Sequence, residues 1–250
     1  MSRLVRRFIA PLLLLVSHAL WATQFAYVQS AIAANLSSLA YTSNVSSGQI
    51  LIAFSFSYSG SCGTSTTDTM GNSWYPLSLL GGSTGCAFYT VSAASGADTV
   101  SVAGLTGDYG LAVAAYSTSN AQYYIESAVI DSVTNTVSPS VVGSGSVVSG
   151  ADSVEIMAVT FFWNQHGSYT MTSSPATLRQ YTGGINGSET MAFADQDLTT
   201  SINPGAKYTN TFTGGSNDGH GTAIFLVAPV SSGGGGTVIT VPVAVQGYAY

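Results

Sequence analysis

Cations are scarce in this chain. Only five of its 250 residues are Lys or Arg, and three of them, Arg3, Arg6 and Arg7, fall within the first seven. Beyond that start, Arg179 and Lys207 alone face eleven Asp and Glu, and two minus eleven leaves a net charge of −9. Such a surface cannot neutralise a phosphate backbone, which excludes nucleic acid as a partner. Anionic lipid is excluded on the same ground. Charge of either sign is rare, at 6% of residues, so Ser, Thr, Gly, Asn and Gln do most of the solvating. A surface of this kind is buried against another molecule without stripping water from many ions, which suits assembly or adhesion. It also lacks the like-charge crowding that keeps soluble proteins apart.

Long apolar runs are missing too. The longest, residues 8–16, follows the three arginines and precedes the small residues Ser17, Ala19 and Ala22. That pattern reads as a secretory signal peptide, residues 1–22, cleaved after Ala22 or after Ala19. The run is too short to span a bilayer, and its Leu-rich core fits ordinary export better than a twin-arginine route. Cysteine is equally sparse: Cys62 and Cys86 are the only two. An even count in an exported chain predicts one disulfide, and closing a loop of about 25 residues stabilises by roughly 3 kcal/mol.

What is abundant is alternation. In residues 49–58, "QILIAFSFSY", Ile50, Ile52, Phe54, Phe56 and Tyr58 share one face and Leu51, Ala53, Ser55 and Ser57 the other. "DTVSVAG", "GLAVAAYS", "TMAFAD" and "TAIFLVA" behave alike, while "SVEIMAVTFFW" is apolar on both faces, as a central strand is. Gly, Ser, Asn and Asp clusters separate these segments, and no helical period runs beyond a turn or two. The expected fold is all-β, a β-sandwich or jelly roll over residues 23–230. The segments half-repeat: Ile50 answers to Val154, Phe88 to Phe193 and Val100 to Tyr208, at offsets of 104, 105 and 108 residues. Two related halves are therefore expected. Neither covers its own apolar face alone, which favours one intertwined domain, with residues 134–150 as the linker of a two-sandwich alternative.

Asn44-Val45 with Gly48, Asp68 with Gly71-Asn72 and Tyr75, and the close Tyr116-Ser117 carry a likeness. Over about residues 26–229 the chain resembles a β-sandwich module of secreted bacterial proteins. The resemblance implies an extracellular surface or carbohydrate-associated setting and brings no catalytic residues. Its motifs are turn and strand signatures, so it speaks to fold more than to function.

Chemistry is harder to find. Residues 81–85 match G-x-S-x-G around Ser83, but no helix follows, so a loop closed by the disulfide is expected in place of a nucleophile elbow. His166 and His220 sit in polar turns and read as solvated. Asp195 with Asp197, and Asn217 with Asp218 and His220, are read as turn chemistry, with Ca²⁺ as the weaker alternative. Glu126, Glu155 and Glu189 are the only glutamates, and their spacing pairs none of them for glycoside hydrolysis. No cofactor is implied. Trp74, Tyr75, Tyr123, Tyr124 and Trp163, with Tyr169, offer faces on which a sugar could stack, against the plainer expectation that they fill the core.

Residues 231–236, "SSGGGG", form a flexible hinge, and residues 237–250, "TVITVPVAVQGYAY", read as a strand. Ile239, Val241, Val243 and Val245 share one face; Val238, Thr240, Pro242 and Ala244 share the other, and Tyr248 and Tyr250 follow. Free in water, such a segment is an aggregation hazard, so it is expected to pair with a sheet edge. The sequence thus points to a non-enzymatic, self-assembling surface, matrix or filament subunit, its partner another copy of itself. A carbohydrate-binding module with polysaccharide as partner is the alternative.

Overall fold

The structure, a computed structural model, describes residues 25–57, 60–77, 85–119, 123–130, 140–144, 154–164, 167–185, 189–202, 207–215 and 219–229. The proposed signal peptide and residues 230–250 lie outside the described residues. Every regular element described is a strand. The first half contains β1 (Phe25–Ala34), β2 (Ser38–Ala40), β3 (Ile50–Ser57), β4 (Cys62–Asp68), β5 (Tyr75–Leu77), β6 (Gly85–Val91), β7 (Thr99–Leu105) and β8 (Tyr109–Thr118). The second contains β9 (Tyr124–Ile130), β10 (Ser140–Ser144), β11 (Val154–Asn164), β12 (Gly167–Ser174), β13 (Thr177–Ile185), β14 (Glu189–Ile202), β15 (Lys207–Gly215) and β16 (Gly219–Pro229).

The repeat is one of topology. The first half makes a five-stranded sheet, β1-β8-β3-β6-β5, and a three-stranded sheet, β2-β7-β4. Adding eight to each label gives the sheets of the second half, β9-β16-β11-β14-β13 and β10-β15-β12. The strand order is that of a jelly roll in each half, with the fifth strand carried over to the larger sheet. All ladders are antiparallel.

The halves are stacked, not intertwined, for each sheet takes its strands from one half. Yet they share a core, which explains why the central strands are apolar on both faces. Ile50, Ile52, Phe54 and Phe56 of β3 meet Met157, Val159, Phe161 and Trp163 of β11 across the seam. Phe54 stacks on Phe161 at 4.5 Å and Phe56 lies 5.0 Å from Trp163, so β3 and β11 run in the same sense. The opposite face of β3, with Leu51 and Ala53, packs with Val100 and Val102 of the three-stranded sheet. In the second half Phe162 stacks on Phe212 at 4.8 Å, closing the equivalent inner layer. The result is four layers, with the two large sheets in the middle. One expected correspondence fails in detail: Phe88 faces its own half's small sheet, whereas Phe193 faces the seam. The offset of 105 therefore matches the strands but not their faces, because a one-residue slip inverts a strand.

Candidate functional site

The turn signature of the sequence folds into a braced edge in the first half. Gly71, at φ +73°, takes the left-handed conformation that a side chain resists, and so turns the chain after β4. Asp68 then gathers three donors. The Asn72 backbone N–H reaches its Oδ1 at 2.9 Å, while Asn72 Nδ2 and Trp74 Nε1 reach Oδ2 at 2.7 and 2.9 Å. Asn72 Oδ1 accepts from the Ala93 N–H at 2.9 Å, and Thr90 Oγ1 donates to the Ser73 carbonyl at 2.7 Å. These bonds hold the run into β5 rigid. At its end Tyr75 is 52% exposed and leans on Tyr89 at 5.6 Å, with Val91, also exposed, farther along β6. The disulfide Cys62–Cys86 ties β4 to β6, hence the small sheet to the large one at this edge. A shallow cleft of about 190 Å³ opens beside it, lined by Thr64, Pro76, Leu77 and Phe88 among others.

A second polar group sits at the seam between halves. Asp195 of β14 is almost wholly buried and takes Tyr116 Oη at 2.9 Å on one oxygen. Its other oxygen accepts Arg179 Nε and Nη2, each at 2.8 Å. The Arg179 guanidinium lies 4.2 Å over the Tyr27 ring, and Gln180 Nε2 donates to the Ser30 carbonyl at 2.6 Å. Burial pushes the Asp195 carboxyl above its usual range, although Arg179 and the Tyr116 hydroxyl pull it back. Burial, then the neighbouring Asp195, holds the Tyr116 hydroxyl well above the ordinary tyrosine value. One of the two cations downstream of the leading segment is thus an internal clamp.

Asp98, before β7, makes a third group. Thr69 Oγ1 donates to its Oδ1 at 3.1 Å, and burial followed by the charge of Asp68 raises its carboxyl.

The expected sugar-stacking residues part company here. Tyr75 is exposed and Trp74 half-buried, its indole N–H held by Asp68. Tyr123 is half-buried and lies edge-on to Phe25 at 6.2 Å. Trp163 is corrected: at 3% exposure it fills the seam against Phe56 and presents no face to a ligand. Tyr124 begins β9 and Tyr169 lies on β12; their side chains are outside the described residues. Asp195 and Asp197 are corrected too. They lie within β14, not in a turn, since Phe193, Asp195 and Asp197 continue its pairing with β11. Among the described residues no three His, Cys, Asp or Glu gather to hold a metal. His220 is a strand residue, paired in the backbone with Trp163, where a turn was expected. Ser83, His166, Asn217, Asp218 and the tail residues Val238, Ile239, Val241, Val243, Val245, Tyr248 and Tyr250 lie outside the described residues.

Sequence reading missed the Arg179–Asp195–Tyr116 clamp. A lone arginine inside an otherwise uncharged strand pattern was the available signal. No helix among the described residues is long and apolar enough to cross a membrane. No protein-family model, curated protein or solved structure matches the chain, so the likeness to the secreted module rests on its turn and strand signatures alone.

Proposed function

We propose that the protein is an exported, non-enzymatic structural subunit that assembles or adheres by adding the strand at residues 237–250 to a sheet edge. The observation that carries this reading is where the fold lets the chain go. β16 reaches Pro229 alongside the start of β9, an outermost strand, with Val227 opposite Tyr124. The chain therefore leaves the described fold one strand in from β9, the outermost described strand of that sheet, and the sequence continues with a glycine-rich stretch and an uncharged alternating segment. Backbone pairing supplies affinity in strand addition, and alternate side chains supply register. Truncation after Val230 tests it. Size-exclusion chromatography and negative-stain microscopy are expected to show assemblies for the chain from residue 23 to 250 and folded monomers for the shortened one. Equal behaviour of the two overturns the reading.

A second reading has its own support in Tyr75, an exposed ring on a hydrogen-bonded brace. Rigid aromatic faces rimmed by hydroxyls and amides suit sugar stacking. Retention on a polysaccharide column that is lost with Tyr75→Ala, and untouched by tail truncation, would favour it.

A further inference from the structure

Strand polarity narrows how the tail can pair. In the five-stranded sheets every ladder is antiparallel, so β1, β3 and β5 share one direction, as do β9, β11 and β13. The ring pairs across the seam make β3 and β11 run in the same sense. All four outermost strands of the two large sheets, β1, β5, β9 and β13, therefore start at the same end of the molecule. Two contacts identify that end. Val227 pairs with Tyr124, the first residue of β9, and Phe25, the first residue of β1, touches Tyr123. It is also the end at which β16 finishes.

A tail that folds back from Pro229 onto any of those four edges of its own molecule would run parallel to it. It would be the one parallel pair in a fold whose described ladders are all antiparallel, and parallel pairing is slightly weaker per residue. The hinge cannot carry the tail to the opposite end first. Residues 231–236 span at most about 20 Å, whereas eleven residues of β16 cover roughly 36 Å. Two copies meeting exit end to exit end and exchanging tails face the same obstacle, for each tail enters its partner's edges from their starts.

The edges are also not equivalent. β1 and β13 close on each other through the Gln180–Ser30 bond and the Arg179–Tyr27 contact. β5 is three residues long and contains Pro76, both common protections of an edge against strand addition. Among the described outermost strands of the two large sheets that leaves β9, seven residues with a single charge and no proline.

Resting on the assembly reading above, we infer that residues 237–250 pair antiparallel with the outer edge of β9 in a second copy stacked head to tail. Continuing outward in the direction of β16, the tail meets the far end of the next molecule and runs against its β9. Pro242 has no N–H, so its side of the tail faces away and Val241, Val243 and Val245 donate to β9. Donor and acceptor are different surfaces, so the contact is heterologous and propagates as an open filament.

The test uses the chain from residue 23 to 250 beside its Val243→Pro/Val245→Pro variant, which removes two donors outside the described fold. The expected result is an open series of oligomers and filaments for the parent and monomers for the variant. Hydrogen exchange of β9 amides is expected to be about tenfold slower or more in the parent, with β1, β5 and β13 unchanged. Assembly that stops at dimers overturns the head-to-tail inference, since inverted side-by-side copies also allow an antiparallel ladder if the hinge reverses. Protection at another edge overturns the choice of β9. Both outcomes leave the assembly reading standing if the prolines abolish association. A parent that stays monomeric overturns the reading and the inference together.

Discussion

Asp68 shows how one side chain turns a short motif into a scaffold. Its carboxylate accepts three hydrogen bonds, two from Asn72 and one from Trp74. Asp68→Ala would leave those donors to water or unpaired and is expected to cost about 2–3 kcal/mol of stability in denaturant titration. Asp68→Asn should cost less, because the amide keeps one acceptor. Asp98 and Asp195 make the complementary case, since burial raises both carboxyls. A raised carboxyl means the folded chain binds its proton more tightly than the unfolded chain does. The stabilisation is complete below the unfolded-state value and is lost as pH rises through the folded one. Tyr41 and Tyr116, both raised, extend the loss to alkaline pH with the same sign. The loss begins at the ordinary carboxyl value of 3.8, so thermal unfolding is expected at higher temperature near pH 4 than at pH 8, and Asp98→Asn should flatten that slope. A midpoint that falls steadily on acidification from pH 8 to pH 4 would contradict this. The Asp68 turn was legible in the sequence because its parts lie within seven residues. The Asp195 clamp was not, because Tyr116 and Arg179 reach it from strands 79 and 16 residues away.

At the level of strands, period-two alternation located β3, β7, β8, β11, β14 and β16 well, since each has an inward face to satisfy. It also carried the half-repeat, which emerges as identical strand order shifted by eight. Register was beyond it. Phe88 and Phe193 look equivalent by spacing yet face opposite layers, and β-bulges such as the one between Tyr27 and Gln29 shift faces without a mark in composition. Turn chemistry was overextended for the same reason. Asp195 and Asp197 read as a loop because Asp is rare in strands, but a paired or partly solvated Asp is tolerated at a seam. β4 and β5 flank the turn from Asp68 to Tyr75, yet β5 belongs to the large sheet and β4 to the small one. The disulfide joins across that switch, from Cys62 on β4 to Cys86 on β6, and it is the pair that the sequence predicts.

For the molecule as a whole, the stacked halves raise the question of whether two jelly rolls behave as one unit. Each has its own pair of sheets, so connectivity alone would allow them to unfold separately. Packing argues otherwise. Phe54, Phe56, Phe161, Trp163, Met191 and Phe193 are all buried in one cluster that draws on both halves. Exposing the seam would open the inner faces of both large sheets at once, at about 25 cal/mol for each Å² of apolar surface. The Asp195 clamp would lose Tyr116 from across the seam while keeping Arg179 in its own sheet, leaving a buried pair half-satisfied. Neither half is expected to remain folded under conditions that unfold the other. Calorimetry of the chain from residue 23 onward should give a single transition whose van't Hoff and calorimetric enthalpies agree. Phe161→Ala removes a ring stacked on Phe54 and Phe193 and is expected to cost about 3–5 kcal/mol. If the halves are coupled, that substitution in the second half lowers the unfolding midpoint of the first half equally. Tryptophan fluorescence in a Trp163→Phe background, where Trp74 is the one tryptophan left beyond residue 22, would report it. A Trp74 transition that stays in place while the rest of the chain unfolds earlier would mean that the two jelly rolls are independent and that the seam is only a contact between them.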